Sequence, residues 1–526
     1  MTDFSPDDLG QLRTRGISQE EAGRQLHLLR NPPPPARVLR PCSPGDGIHR
    51  IDEAKIAELV RAAESVARDG RASKLVPASG AASRMFQAHA ADLENLSKDG
   101  STKGNTAGSP DASGSTPAEP SAETARFLAE LDRLPFADPL GAALAAEGHD
   151  LAALREAGRS REILRALLHP SGLGFADLPK GLIPFHRAEP AGRTPFEEHL
   201  REAAALIRDA SGVCRLHFTV APEHEPRFRA LLEELAPLLA AELSARFEVG
   251  FSIQHPRTDT LALDLSTGAP FRTEDGNLLL RPGGHGALIE NLADLANLGA
   301  DLVLIKNVDN VLPAGGPPEV LVWKRVLLGL AADLADRAGN LRRALERMVP
   351  AEDLLHAAER FLEQEFGRAP RPGSSADERK QALIADLSRP LRVCGVVQNT
   401  GEPGGGPFWV AGESGEPATP QLVETSQLDP LERADLLAAA THFNPVDLVC
   451  ALRIGGRRLD LLRFVDPNAV FVTEKSQAGR PLLALERPGL WNGAMAGWNT
   501  QFVEVPNATF APVKTVLDLL RPEHQG

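Results

Sequence analysis

The sequence predicts an α/β protein with a mixed, mostly parallel sheet that is flanked by helices and interrupted by helical insertions. Short apolar runs such as RLHFTV (215–220) and ADLVLIKNV (300–308) have the length and β-branched content of buried strands. Segments with helical periodicity stand between these runs. Strands that alternate with helices in this way are typical of a parallel sheet with helices on both faces.

The composition excludes several classes of protein. The chain of 526 residues is 42% apolar, enough to bury a large core in two or three structural units. Its net charge of −14 gives no field that would attract a nucleic-acid backbone, and no apolar stretch is long enough to span a bilayer. The polar N-terminus lacks a signal segment, and the 4 cysteines form no CxxC pair. We expect a soluble, cytoplasmic protein with buried reduced thiols and neither nucleic-acid nor membrane partners.

Composition shifts along the chain predict its organisation. Residues 1–70 are expected to form an N-terminal helical extension, and 71–526 the main domain. The segment 97–124 contains no large apolar residue, which predicts a disordered surface insertion. Helical periodicity predicts two further insertions, over 125–170 and 317–392.

The first candidate site is VPASGAASRMF (76–86), where a predicted strand ends in small residues before a helix. Small side chains let backbone N–H groups approach phosphate oxygens, and a helix N-terminus adds partial positive charge. Arg84 can add a fork of donors. The predicted nucleotide-binding loop comprises Ser79, Gly80, Ala81, Ala82 and Ser83. The same pattern also fits a plain structural turn.

Three further segments carry polar groups suited to a ligand. Lys180 in LPKGLIPF (178–185) places one ammonium group just before a predicted strand. Gln254 ends the strand FEVGFSIQ, and its amide can both donate to and accept from a nucleobase edge. Gly284 and His285 lie in the glycine loop RPGGHGAL, which permits close backbone approach. Each alone also fits a solvated loop, a polar strand end or a tight turn.

The C-terminal half adds the remaining candidates. Asp309 follows the apolar strand LVLIK, where α/β sheets bind ligands and where a carboxylate could hold Mg²⁺ beside phosphate oxygens. Glu424, in a predicted strand, and Asn444 could hydrogen-bond sugar hydroxyls. Lys514 stands at a loop-to-helix junction in TFAPVKTVLDLL. Structural roles are open for each of these residues as well.

Taken in chain order, these segments resemble the UDP-sugar pyrophosphorylase family. VPASGAASRMF is similar to its phosphate loop, PKGLIPF to its Pro-Lys motif, and GFSIQ to its strand that ends in a uracil-reading glutamine. PGGHGAL, NVDNVL and LVETSQ resemble its glycine loop, metal-binding segment and V-E-Y-S-E motif. FAPVKTVLDLL is the most similar of all. GLWNGAMAGWNTQFVEVP looks more like a bacterial group, the domain of unknown function 4301.

The resemblance implies a Rossmann-like nucleotidyltransferase fold of the GT-A type over 71–526. It also implies an enzyme that joins a sugar 1-phosphate to an NTP, with UTP favoured, in a Mg²⁺-dependent reaction that releases pyrophosphate. The predicted phosphate loop and Arg84 would hold the leaving pyrophosphate, and Lys180 the α-phosphate and incoming phosphate. Asp309 would bind the metal, and Lys514 the sugar phosphate or the pyrophosphate.

The remaining roles concern the base and the sugar. Gln254 and Gly284 would read the base, His285 would lie near the ribose or sugar, and Glu424 with Asn444 would hold sugar hydroxyls. Ala82 and Ser83 depart from the family's glycine and threonine. Two alternatives therefore stay open. One is a glycosyltransferase of related fold that uses Asn307-Val308-Asp309 as its metal triad, and the other is a non-catalytic nucleotide- or sugar-binding regulator.

Overall fold

The structure is a computed structural model of the whole chain. It describes residues 4–101, 119–189, 192–347, 351–370, 375–401, 404–412, 416–443 and 447–525, with the backbone alone over 97–101.

The described residues include 15 α-helices. Their bounds are α1 (Pro6–Arg15), α2 (Gln19–Arg30), α3 (Glu53–Arg68), α4 (Gln87–Ser101), α5 (Ala122–Ala129), α6 (Ala137–Ala146), α7 (Leu151–Glu156), α8 (Ser160–Leu168), α9 (Pro195–Leu206), α10 (Glu225–Leu243), α11 (Leu288–Asn297), α12 (Pro318–Arg347), α13 (Glu352–Phe366), α14 (Ala376–Leu387) and α15 (Arg433–Ala439).

The strands form one large sheet and several small ones. Their bounds are β1 (Val38–Pro41), β2 (Ser43–Pro44), β3 (Gly47–His49), β4 (Ala72–Pro77), β5 (Val213–Thr219), β6 (Arg246–Ser252), β7 (Thr260–Asp264), β8 (Leu280–Arg281), β9 (Leu302–Lys306), β10 (Leu391–Gln398), β11 (Gly406–Val410), β12 (Thr419–Val423), β13 (His442–Phe443), β14 (Asp447–Ala451), β15 (Arg453–Ile454), β16 (Arg457–Arg458), β17 (Phe471–Gln477), β18 (Arg480–Glu486) and β19 (Asn499–Glu504).

The central sheet has the order β2-β3-β19-β10-β14-β9-β4-β5-β6. Every neighbouring pair along this order is parallel except the two pairs that β14 makes with β10 and β9. Helices cover the sheet: α12 packs on β9, β10 and β14, and α9 packs on β5. The predicted fold class, a mixed and mostly parallel sheet flanked by helices, is confirmed.

The main apolar core lies around the central sheet, and several smaller apolar clusters lie beside it. Two of these smaller clusters involve the helices outside the sheet layers. Helices α4 to α8 bury the side chains of Phe127, Leu140 and Leu164 in a cluster that also takes in Met85 and Val513. The predicted phosphate loop and the C-terminal segment therefore rest on the helical insertion. Helices α1 and α2 pack on the small sheet that contains β7 and β18, which forms a third cluster.

Several segments differ from their predicted conformation. Residues 182–185 form no strand but a 3-10 turn and a loop, because Pro184 has no N–H for a ladder and tertiary packing buries Ile183 and Phe185. The N-terminal segment 1–70 contains the strands β1 to β3 besides its helices. Helices α4 and α5 occupy the two ends of 97–124, and 102–118 lie outside the described residues.

The four cysteines, Cys42, Cys214, Cys394 and Cys450, are buried and unpaired, as predicted. Burial raises the thiol pKa of Cys214 and Cys394 to about 11, which keeps them protonated and unreactive. Within the described ranges, the longest apolar helices fall short of what a membrane crossing needs.

Candidate functional site

Lys180, Asp309 and Lys514 meet at one point. The Lys180 ammonium donates hydrogen bonds to Asp309 Oδ2 at 2.8 Å and to the Val513 carbonyl oxygen at 2.6 Å. Lys514 Nζ lies 3.4 Å from the same carboxylate oxygen. The Lys180 and Asp309 side chains are 11% and 12% exposed, whereas the Lys514 side chain is 63% exposed. One ammonium is thus locked in place and the other faces solvent.

Backbone contacts fix the segments that carry these side chains. The Val513 N–H donates to the Asp309 carbonyl at 3.0 Å, and the Ala511 N–H donates to Asn310 Oδ1 at 3.0 Å. Asn310 and Pro512 form an isolated antiparallel bridge. The strand end after β9 and the segment before Lys514 are therefore held in register.

The predicted phosphate loop is joined to the Pro-Lys turn. The Ala82 N–H donates to the Leu178 carbonyl at 3.1 Å, and the Lys180 N–H to the Gly80 carbonyl at 3.3 Å. The chain turns through a 3-10 helix, Ala82–Arg84, and α4 begins only at Gln87, so the helix start is displaced from the loop. Arg84 is exposed and has no hydrogen-bond or ion-pair partner in the described part of the chain.

The negative charge of the Asp309 carboxylate is balanced by the two ammonium groups beside it. Burial alone would raise the pKa of Asp309, but the nearby ammonium groups of Lys514 and Lys180 outweigh it and lower that pKa. Asp309 is therefore an anion at neutral pH. An ammonium group has three N–H donors, and Lys180 uses two of them on Asp309 and Val513, so one remains.

A second group forms around Gln254 and the glycine loop. Gln254 lies two residues beyond β6, and its buried amide oxygen has no hydrogen-bond partner among the described residues. Asn291 of α11 donates to Ser252 Oγ at 2.8 Å and to the Ile253 carbonyl at 2.9 Å. These bonds attach the start of α11, which follows the loop of Gly284, to the strand end that carries Gln254.

His285 and Glu424, both predicted site residues, contact each other. His285 Nε2 lies 3.4 Å from Glu424 Oε1, and His285 Nδ1 accepts from the Leu490 N–H at 3.1 Å. Because Nδ1 is an acceptor, the neutral ring carries its proton on Nε2, towards the carboxylate. Gly284 has φ +75, and a Cβ there would stand 3.1 Å from Glu486 Oε2. Glu424 itself lies just after β12, at the start of a 3-10 turn, and not in a strand as predicted.

Two residues of this group were not predicted. The Trp491 ring stacks on His285, with centroids 5.0 Å apart and planes at 23°. Asn492 donates to Gln427 Oε1 at 2.9 Å, and its own Oδ1 is buried without a partner among the described residues. The only signal in the sequence is the Trp-Asn-Gly turn, an aromatic and an amide beside a glycine. Asn444 lies outside the described residues, so its predicted role stays a prediction.

Both groups belong to the carboxyl edge of the sheet. Strands β9, β4, β5 and β6 are adjacent and parallel, so their carboxyl ends share one edge. Asp309 follows β9, the predicted phosphate loop follows β4, and Gln254 follows β6. Neighbouring strands lie about 4.8 Å apart, so the edge from β9 to β6 spans about 14 Å. An extended ligand with a phosphate end and a base end fits this arrangement. No hydrogen bond or ion pair between described residues joins the two groups directly.

The sheet and its edge define an α/β protein with a candidate ligand site at the carboxyl ends of parallel strands. Residues 5–525 match the family model described as a domain of unknown function, DUF4301. The chain belongs to the DUF4301 family, as its C-terminal motif predicted. Comparison with curated proteins gave no match.

Some solved structures are partly similar to this chain, and the three described below are sugar-nucleotide pyrophosphorylases or phosphorylases by name. The uridine diphosphate N-acetylglucosamine pyrophosphorylase of Trypanosoma brucei is 12% identical, with a TM-score of 0.49 over 98% of this chain and 79% of that chain. A mutant UDP-glucose pyrophosphorylase of Leishmania major is 16% identical, with a TM-score of 0.37 over 65% of this chain and 61% of that one. A UDP-glucose phosphorylase of Trypanosoma brucei is 13% identical, with a TM-score of 0.43 over 98% and 77%. Likenesses at this level establish neither the fold nor the activity of this chain.

Proposed function

We propose that this protein is a nucleotidyltransferase that joins a sugar 1-phosphate to an NTP and releases pyrophosphate. The observation that carries the proposal is the contact of Lys180 and Lys514 with the single carboxylate of Asp309, beside a loop of small residues. Phosphoryl-group transfer of this kind needs positioning and charge neutralisation more than covalent catalysis. The fixed ammonium of Lys180, the exposed ammonium of Lys514 and backbone N–H groups at one edge supply both.

The phosphate end of the proposed site offers N–H groups that are free to bind phosphate oxygens. Lys180 is held rigidly and keeps one N–H, which can bridge the α-phosphate and the incoming phosphate. The exposed guanidinium of Arg84 and the loop of Gly80 would hold the leaving pyrophosphate. The exposed ammonium of Lys514 can move with its substrate, because its contact with Asp309 is long. Preorganised cations of this kind stabilise the charge that develops in the transition state.

We propose that Mg²⁺ binds to the carboxylate of Asp309. Both ammonium groups contact Asp309 Oδ2, and no hydrogen bond between described residues ends on Oδ1. Around this carboxylate the described residues supply no cluster of three metal-ligating side chains. A single carboxylate fits Mg²⁺, which commonly binds through one or two carboxylates together with substrate phosphates and water. When bound, the ion would supply positive charge to the phosphate oxygens.

The proposed binding sites for the base and the sugar contain amide oxygens without hydrogen-bond partners among the described residues. The buried Oε1 of Gln254 can accept from a base N–H while its NH₂ donates, which suits uracil and favours UTP. Glu424 presents carboxylate oxygens that can accept from ribose or sugar hydroxyls, and the His285 ring, whose N–H faces that carboxylate, lies beside it. Asn492 Oδ1 adds a second acceptor beside them. Asn444 is proposed here on its motif alone.

The test is pyrophosphate release across pairs of NTP and sugar 1-phosphate, with Arg84→Ala and Lys514→Ala compared with wild type. Exposed Lys55 on α3 gives a matched control, Lys55→Ala, that removes an ammonium away from the site. We expect the control to keep the wild-type rate and the two site variants to lose about 100-fold or more. Wild-type rates in both site variants would contradict the assignment. Release of nucleoside diphosphate from a nucleotide sugar would identify a glycosyltransferase instead.

A further inference from the structure

A cavity of about 650 Å³ opens at the opposite edge of the central sheet, where β4, β5 and β9 begin. It lies between these strand starts, the carboxyl end of α11 and the hairpin of β15 and β16. Ligand sites for small molecules in proteins have volumes of about 300–1,000 Å³, so this cavity is of the right size for one. It shares no lining residue with the carboxyl-edge site.

The cavity wall carries a cation without a counter-charge. Both lining carboxylates, Asp301 and Asp336, pair with Arg71, at 2.6 Å and 3.6 Å. Arg215 pairs with carboxylates that do not line the cavity. Arg453 has no hydrogen-bond or ion-pair partner among the described residues, and its Nε is buried. A buried guanidinium N–H without an acceptor is costly, so the site favours an anion.

The other lining residues indicate which kind of anion the cavity can bind. Ser73 Oγ is buried and lacks a partner in the described ranges, so a hydroxyl is available in the cavity that Arg453 also lines. Leu216, Leu295 and Leu298 add apolar surface to the same lining. A guanidinium group binds phosphate through two parallel hydrogen bonds, and an apolar wall accommodates a compact apolar group. A phosphate monoester with a small apolar portion meets both requirements.

The cavity is connected to the segment that carries Gln254. His217 lines the cavity, and its Nε2 lies 2.8 Å from Ser252 Oγ, which also accepts from Asn291. Helix α11, which is ten residues and about 15 Å long, leads from the glycine loop towards the cavity, where Leu295 forms part of the lining. A ligand that packs against His217 and the end of α11 would restrict both connections.

We propose that this cavity binds a phosphate monoester through Arg453 and Ser73, and that its occupancy strengthens nucleotide binding through His217 and α11. The cavity shares no lining residue with the proposed reaction site, whereas the coupling rests on the nucleotide binding proposed above. Restriction of a segment by one ligand lowers the entropic cost of ordering it for a second, which gives positive coupling.

Binding is tested with phenyl phosphate, which combines the two groups, and with benzyl alcohol as an uncharged comparison. Titration calorimetry should give one saturable site for phenyl phosphate and none for benzyl alcohol. Arg453→Gln should weaken binding at least tenfold, whereas Arg457→Gln, an exposed arginine of the same hairpin, should not. Equal affinity in wild type and Arg453→Gln would overturn the proposal.

A second pair of variants tests the same site in case Arg453→Gln does not fold. Leu298 lines the cavity and is 84% exposed, so its replacement leaves the core intact. Leu298→Glu should weaken phenyl phosphate binding by repulsion, and Leu298→Gln should bind it more tightly than Leu298→Glu. Equal binding by the two would place the anion elsewhere and overturn the proposal.

The coupling has its own test, which measures nucleotide binding and needs no turnover. Saturating phenyl phosphate should tighten UTP binding to wild type about 5-fold, a coupling typical of allosteric proteins. His217→Leu, which lacks the bond to Ser252 Oγ, should lose this effect while it still binds phenyl phosphate. An unchanged UTP affinity in wild type would overturn the coupling, and so would a full effect in His217→Leu.

Discussion

Lys180 and Lys514 contact the same carboxylate but differ in burial, so their replacement separates stability from catalysis. Lys180→Met removes an ammonium that is 11% exposed and that holds both Asp309 and the Val513 carbonyl. Lys514→Met removes one that is 63% exposed and makes a single contact of 3.4 Å. Met matches the length of the Lys stem without its charge.

The expected losses follow from these environments. Removal of one partner from a buried ion pair costs about 3–5 kcal/mol. For Lys180→Met we expect a loss near the lower end, about 3 kcal/mol in the free energy of unfolding, because Lys514 still balances Asp309. An exposed ion pair is worth about 0–1 kcal/mol, so Lys514→Met should leave stability nearly unchanged. Both variants should lose about 100-fold or more in turnover, because each lacks a cation at the phosphates.

Urea unfolding followed by tryptophan fluorescence gives the stability, and pyrophosphate release gives the turnover. The fully buried Trp498 makes the signal sensitive to the core. Equal stability of wild type and Lys180→Met would refute the buried ion pair. A Lys514→Met protein with wild-type turnover would refute its contact with substrate.

Three further predictions concern single positions. Gly80→Ala should leave stability unchanged, because a Cβ there meets nothing within 4 Å, yet weaken UTP binding about tenfold in calorimetry; unchanged affinity would remove Gly80 from the phosphate site. His89 is buried, its ring nitrogens lack partners among the described residues, and burial lowers its pKa to about 4, so wild type should lose stability as pH falls from 6.5 towards 4. His89→Leu should raise the free energy of unfolding by about 1–3 kcal/mol and flatten that loss, and an equally steep acid limb would contradict this. Burial lowers the pKa of Lys306 from 10.5 to about 8, so the folded state binds fewer protons between these values and stability should rise with pH. Lys306→Met should show a smaller rise in the free energy of unfolding between pH 8 and 10.5 in urea unfolding, and a rise equal to that of wild type would refute it.

The sheet could be predicted because its strands carry local signals. The runs that became β5 and β9 are apolar and of strand length, and they were predicted close to their observed bounds. LIPF has the same composition but two prolines nearby, and its burial comes from helices distant in sequence. Composition reports burial, whereas strand pairing depends on N–H groups and on neighbours that no local window contains.

The same distinction applies to the site. Asp309 could be placed because a polar residue after a buried strand falls at the carboxyl edge by rule. Trp491 and Asn492 could not, because they reach His285 and Gln427 only through the folded C-terminal half. Lys306 lies buried at the end of β9, with its Nζ 3.6 Å from Asp447 Oδ1. No local pattern in the sequence distinguishes such a buried, paired lysine from a ligand-binding lysine.

The most direct measurement is ³¹P NMR of the wild-type protein with Mg²⁺, UTP and a panel of sugar 1-phosphates. We predict that one pairing yields a pyrophosphate resonance together with the two coupled resonances of a nucleotide sugar, and that Lys514→Met yields neither at the same rate. Spectra without pyrophosphate for every NTP and sugar phosphate, from a protein shown to bind UTP, would contradict it.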